Sequence, residues 1–178
     1  MARYAAGDDV AFARLFVLLA PQIEAFFRRS FVDRTLAEDL TQATFLRLHR
    51  HRKSYRPDLP LKPWLYSMAA CERQDELRRQ YRLPAHVGES EIEAAEPRAW
   101  DQARLRDGSS AIAAVEEAIR RLPESQRVVL HLHNHQEMTF EQIAEVLGTT
   151  AGAIRVRASR AYERLRVELR EYYKPRKP

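Results

Sequence analysis

Arg155, Arg157, Ser159 and Arg160 stand close together in the last quarter of this chain. Their types suit one chemistry, the binding of a polyanion. A guanidinium is a permanent cation with a planar fork of donors that fits phosphate oxygens or the edge of a guanine. They belong to Thr139 to Arg166, TFEQIAEVLGTTAGAIRVRASRAYERLR. A second group, His131, His133 and His135 in HLHNH, has zinc-binding spacing, because His131 and His135 share a helix face at i, i+4. Residues 132 to 134 are Leu, His and Asn, so the catalytic Glu of a metalloprotease helix is missing, and no third ligand stands out. These histidines are expected on an exposed helix surface, with no metal and no cofactor; metal sensing or metal-dependent catalysis is the alternative. The sequence has no Gly-rich phosphate loop, no nucleophile elbow and no paired-Cys metal site.

The elements that must position the arginines read as helix, turn, helix. Ile143, Ala144, Val146 and Leu147 form a short apolar stripe. Gly148 supplies the turn, where a positive φ is free for glycine. Thr149 or Thr150 can cap the next helix, whose inner side is Ile154, Ala158, Ala161 and Leu165. This layout predicts a helix-turn-helix with its second helix in the DNA major groove.

The chain has 178 residues, a formal charge of +5 and a pI near 9.6. From Arg155 to Pro178 nine Lys or Arg face three Glu, whereas Glu89 to Asp101 holds five acidic residues and one Arg. Basic charge gathered at one end favours a nucleic-acid partner. A single cysteine, Cys71, excludes an internal disulfide and fits a reducing compartment. No apolar run approaches the ~20 residues that cross a bilayer, and the start does not resemble a signal peptide, so a cytoplasmic protein is expected.

The fold class expected is all-α, two small helical modules joined by a flexible linker. Asp8 or Asp9 caps a first helix with core positions Phe12, Leu15, Phe16, Leu19, Ile23, Phe26 and Phe27, kinked or split at Pro21. A second runs from Thr35 to about Lys53, with Thr35 and Glu38 as a capping box and Leu36, Leu40, Ala43 and Leu48 inside. A third starts near Pro63 and turns basic. The segment 83–110 reads as the linker, with a short helix around Trp100. Ile112, Val115, Ile119 and Leu122 form one face of the next helix, and Ser125 caps the one after it. The boundaries are 1–82, 83–110 and 111–178.

Four stretches in order resemble bacterial RNA polymerase sigma factors of the extracytoplasmic-function type, small sigma-70 relatives. They are RYAAGDDVAFARLF, AEDLTQATFLRL, PWLYSMAACERQDELRR and LPESQRVVLHLHNHQEMTFEQIAEVLGTTAGAIRVRASRAYERLR. The resemblance implies a transcription initiation factor that is not an enzyme. Its region 2 would dock on the polymerase β′ coiled coil through Asp39, Gln42 and Phe45. Region 2 would also melt and hold the −10 element through Trp64, Tyr66, Cys71, Arg73, Arg78 and Arg79. Region 4, near the β flap, would read the −35 element through Thr150, Gly152, Ala153, Arg155, Val156, Arg157, Ser159 and Arg160, with Arg157 on phosphate or in solvent. The family also implies an anti-sigma factor, often membrane-anchored. Trp64 is expected to be mainly core. Where the family often has an acid, this chain has Ala43. Where it commonly has a base-reading Asn, this chain has Cys71, expected to pack inertly, with a redox role as the alternative. Two rivals stand beside this reading: a stand-alone helix-turn-helix regulator, and a sigma-like adaptor that does not initiate.

Overall fold

The computed structural model describes residues 1–84 and 111–170, the side chains of 111 and 112 excepted. The expected linker and its Trp100 helix lie outside the described residues. Every regular element within them is helical: α1 (Ala2–Ala5), α2 (Asp9–Ser30), α3 (Arg34–His51), a 3₁₀ turn (Arg52–Ser54), α4 (Leu61–Tyr81), α5 (Ala111–Arg121), α6 (Glu124–Asn134), α7 (Phe140–Leu147) and α8 (Ala151–Glu168).

Local chemistry sets most boundaries. Asp8 caps α2 by accepting from the Ala11 N–H at 3.0 Å. Pro21 neither splits nor ends α2. Its ring removes one donor to the preceding turn, and the Gln22 side-chain amide donates to the Leu18 carbonyl at 3.0 Å beside it. Asp33, not Thr35, caps α3, because its carboxylate accepts from both Thr35 and Leu36 N–H groups, at 2.9 and 3.4 Å. Glu38 therefore does not complete a capping box and pairs with Arg34 at 2.9 Å. Ser125 does not cap α6, which starts one residue earlier, directly after Pro123. Thr139 and Gln142 form a reciprocal capping box on α7, Gly148 ends it at φ +65°, and Thr150 caps α8 through the Ala153 N–H at 3.2 Å. In α5 the buried face is Ala114 and Ala118, whose small side chains admit Leu165 and Leu169 of the α8 end, while Val115 is left exposed.

α2 also differs from expectation in its hydropathy. An 18-residue window within it reaches a mean hydropathy of 1.6, enough by length and composition to cross a bilayer. Arg14 and Glu24 interrupt the run, which hid it in the sequence. Ile23, Phe26 and Phe27 are fully buried in the helical core, yet only 17% of the window is buried, and Val10, Val17 and Leu18 stand in solvent.

The two helical groups are not merely tethered. One apolar cluster runs without a break from Phe26, Leu65 and Ala69 of the first group into Val129, Leu132, Ile143 and Val146 of the second. A buried ion pair stands beside it. Arg73 of α4, at 0% exposure, donates from Nε to Glu124 Oε1 of α6 at 2.6 Å and from Nη2 to Oε2. Ser30, at the end of α2, donates to the same carboxylate and accepts from Arg73 Nε at 3.1 Å. Arg127 ties the junction from the other side, donating to the carbonyls of Arg29 at 2.6 Å and Leu122 at 2.5 Å. Burial opposes ionisation of Glu124, but Arg73, with help from Ser30 and Arg127, outweighs it and holds the carboxyl below its ordinary range.

His131 sits in the same junction and is not an exposed helix histidine. It is buried against Phe26, with ring centroids 6.3 Å apart, and among the described residues neither ring nitrogen has a hydrogen-bond partner. Burial first, then the nearby charges of Arg29 and His135, push its pKa down to about 4. His133 hydrogen-bonds the Met138 carbonyl at 2.9 Å and stacks on Phe140; His135 alone is exposed. Among the described residues no three His, Cys, Asp or Glu side chains gather in a way that could hold a metal.

Two stability tests follow from these contacts. Gly148→Ala should lose about 1 kcal/mol in a denaturant titration, because alanine is strained at that φ, whereas Gly152→Ala, in a helix with open space around it, should not destabilise. The second is a pH dependence. With its pKa lowered from 6.5, His131 binds protons more readily in the unfolded chain. Its contribution is complete above pH 6.5 and falls as pH drops toward 4, by something on the order of 2–3 kcal/mol. The Glu124 contribution is lost only below the ordinary carboxylate range, so His131 dominates the slope between pH 6.5 and 5. Denaturation midpoints for His131→Leu should lie flat across that window while the parent chain declines.

Candidate nucleic-acid interface

The exposed side of α8 gathers most of the residues expected to meet the −35 element. Thr150, Gly152, Arg155, Val156, Ser159 and Arg160 are exposed, and Ala153 is half-buried. A Cβ on Gly152 would meet nothing nearer than the Thr150 hydroxyl at 3.9 Å, so the first turn presents bare backbone to an approaching surface. Arg155 pairs with Glu141 of α7 and lies 6.0 Å over the Phe140 ring. A DNA edge or phosphate must therefore displace an exposed carboxylate, which is inexpensive for a solvated pair. Arg157 contradicts its expected place: at 3% exposure it is part of the inner side, one step from Ile154 and Ala158. The spacing 154, 157, 158, 161 already puts it there.

The residues expected to hold the −10 element scatter more. All lie on α4, but its two sides differ. Cys71 is exposed rather than packed, and Arg79 is exposed while pairing with Glu76 at 3.0 Å. Arg78 is half-buried and pairs with Asp75 at 2.9 Å. Trp64 is partly buried, 5.2 Å from the Tyr55 ring, at the edge of the core. Tyr66 and Arg73 are both fully buried. Tyr66 packs edge-on against Phe26, donates to the Gln22 carbonyl at 3.3 Å, and has its phenol pKa raised by burial. No base can stack on it. Arg73 faces Glu124 and not solvent. Both point to the side of α4 that meets α2 and α6, whereas α7 lies along another side, where Gln142, Glu145 and Val146 face Leu59, Pro60, Trp64 and Ser67 across a cavity of about 430 Å³.

Of the residues expected to dock on polymerase, Asp39 and Gln42 are exposed on α3. Phe45 is at 3% exposure and packs under Phe16, with ring centroids 4.8 Å apart. Its place is support, because the helix turns it inward with Thr41 and Leu48. The sequence reading left Val17 and Leu18 off the core stripe and gave them no role; both are exposed, and Phe16, expected in the core, is exposed beside them. Val17, Phe16, Ala20 and Pro21 form one wall of a groove of about 380 Å³, and Glu38, Thr41 and Gln42 form the other. An apolar wall beside a polar one is the composition of a protein-docking surface.

Comparison with known proteins gives this geometry a family. The Sigma-70 region 2 family matches residues 15–83, and Sigma-70, region 4 matches residues 112–165. RNA polymerase sigma factor CarQ of Myxococcus xanthus is 34% identical over 96% of this chain and 96% of its own. ECF RNA polymerase sigma factor SigM of Mycobacterium tuberculosis is 30% identical over 93% of this chain and 80% of its own. Among solved structures, the fold is similar to sigma factor RpoE in complex with the anti-sigma factor NepR from Bartonella quintana. That pair has a TM-score of 0.66 and 24% identity, over 90% of this chain and 97% of the other. CnrH in complex with the cytosolic domain of CnrY gives 0.64 and 22%, over 96% and 94%. With both regions matched in order and relatives aligned along nearly its full length, this chain belongs to the sigma-70 family of RNA polymerase sigma factors, in the extracytoplasmic-function group.

Proposed function

We propose that this chain binds core RNA polymerase in the cytoplasm and directs it to two-part promoters, with α8 reading the −35 duplex and the α4 face holding the melted −10 strand. One observation carries the reading: a groove suited to a protein partner and an exposed, capped, arginine-bearing recognition helix stand on one chain whose two halves match regions 2 and 4. The chain catalyses no reaction; phosphodiester chemistry belongs to the polymerase. Arg155 and Arg160 are the base or phosphate contacts of α8, and Arg164 and Arg166 position without reading sequence. The groove between α2 and α3 is the polymerase face, with Asp39 and Gln42 at its rim. Ala43, where the family often has an acid, shifts weight onto the apolar wall. Cys71 in place of the family's Asn changes which −10 base is read, because a thiol is a poor partner for a base edge. Solved relatives were captured with NepR and CnrY; an anti-sigma factor is the corresponding partner here.

Run-off transcription on pooled fragments of the source genome, with core polymerase, should give start sites only when the chain is added. Core binding without transcripts would favour an adaptor, and tight operator binding without core would favour a stand-alone regulator. On a promoter found this way, Arg155→Ala should lose about 1–3 kcal/mol of discrimination at a −35 position while Arg166→Ala weakens all sequences alike, read by competition binding. Val17→Asp should weaken core binding at least ~10-fold in a titration without lowering the melting temperature, since Val17 is 72% exposed.

A further inference from the structure

We propose that the cleft between α2 and α5 is a binding site for a small organic phosphate of the nucleoside diphosphate type. It is a cavity of about 740 Å³, within the size range of pockets that enclose small molecules. Its apolar floor is Ala25 of α2 with Val115 and Ile119 of α5. Val115, left out of the core while Ala114 and Ala118 are buried, belongs to this floor. Arg28, Arg29 and Arg120 line the cleft against one carboxylate residue, Glu116. The side chains of Arg28 and Arg29 make no ion pair or hydrogen bond among the described residues. Arg120 does pair with Glu117, at 3.0 Å, but on an exposed surface where exchange is inexpensive. Glu117 keeps Arg121 as a partner, at 3.2 Å, when Arg120 turns to another anion. Arg127 fixes the two walls at one end of the cleft, donating to the carbonyls of Arg29 at 2.6 Å and Arg120 at 2.9 Å.

That inventory suits an anion with a flat apolar body. Phosphate oxygens take the donor forks of Arg28 and Arg29, with Arg120 recruited beside them. A base lies on the aliphatic floor. Glu116 accepts from a sugar hydroxyl or a base amine, and His135, which also lines the cleft, offers a ring nitrogen. Inorganic phosphate would leave the floor unused. A DNA duplex carries its phosphates on a convex ridge and brings no apolar face into a cleft. The cleft shares no residue with the α2–α3 groove or with the outer side of α8, so nucleotide binding stands or falls apart from promoter recognition.

The test is isothermal titration calorimetry on the full chain at about 150 mM salt, with ADP, GDP, CDP and UDP as ligands and pyrophosphate and adenosine beside them. At least one nucleotide should bind at one per chain, at least ~10-fold tighter than pyrophosphate or adenosine, and should raise the melting temperature. Arg28→Ala and Arg29→Ala should each weaken that nucleotide about 10-fold. Val115→Asp, which sets a carboxylate in the floor, should weaken it at least as much. Arg34→Ala, on an exposed part of α3, should bind as the parent does. Circular dichroism checks that each variant is folded; if Arg29→Ala unfolds, the exposed Arg28 decides. No heat with any nucleotide would overturn the site, as would pyrophosphate binding as tightly as the nucleotide. Equal losses in Arg34→Ala would show attraction by net charge alone and overturn it too. Arg28→Ala that binds nucleotide like the parent but loses promoter DNA would assign these arginines to DNA instead.

Discussion

A guanidinium and a carboxylate, both stripped of water, meet where the two halves of this chain touch. Neither Arg73 nor Glu124 can stay ionised in an apolar junction alone, since the desolvation of a lone buried charge costs several kcal/mol even after relaxation. Together, with Ser30 on the shared oxygen and Arg127 bound to nearby carbonyls, they are satisfied. The rest of the closed arrangement depends on that satisfaction. Phe26 and His131 approach across the junction, α7 comes to lie along α4, and one apolar cluster spans both halves. Apolar area alone would favour closure without fixing its register, whereas a two-pronged ion pair tolerates only one.

That constraint sorts the working surfaces. α8 keeps Arg155 and Arg160 in solvent because its inner side is Ile154, Arg157, Ala158 and Ala161, all buried. The groove between α2 and α3 stays open because its exposed wall, Phe16 and Val17, faces away from the junction. α4 is the exception. Its buried side, with Tyr66 and Arg73, joins the halves, while Cys71 and Arg79 stay exposed on the other.

What the sequence discloses and what it hides divide along a physical line. The turn at Gly148 and the Thr150 cap were legible because each depends on residues within four positions; the Thr139 box is as local but went unread. The all-helical class was legible from periodicity. The contact between the halves was not, because a polar pair 51 residues apart in sequence leaves no periodic trace. A partial signal did exist. Leu65, Ala69, Arg73 and Leu77 recur at steps of four, which puts Arg73 on the buried stripe of α4, and the same logic buries Arg157 and Phe45. Residue type outweighed position in those readings: an arginine suggests DNA and a phenylalanine suggests an interface, but the helix phase decides where each points. Helix phase had already left Val17 and Leu18 off the core stripe; what went unread was the role of an exposed apolar pair. His131 was misplaced for a third reason, since its burial comes from Phe26 of the other half.

The most direct test of this account is a structure of the chain bound to core polymerase and promoter DNA. It should show α8 seated in the −35 major groove with Arg155 and Arg160 on the DNA, and the exposed side of α4, with Cys71 and Arg79, against the melted −10 strand. A complex that initiates transcription with α8 away from the −35 duplex would contradict it.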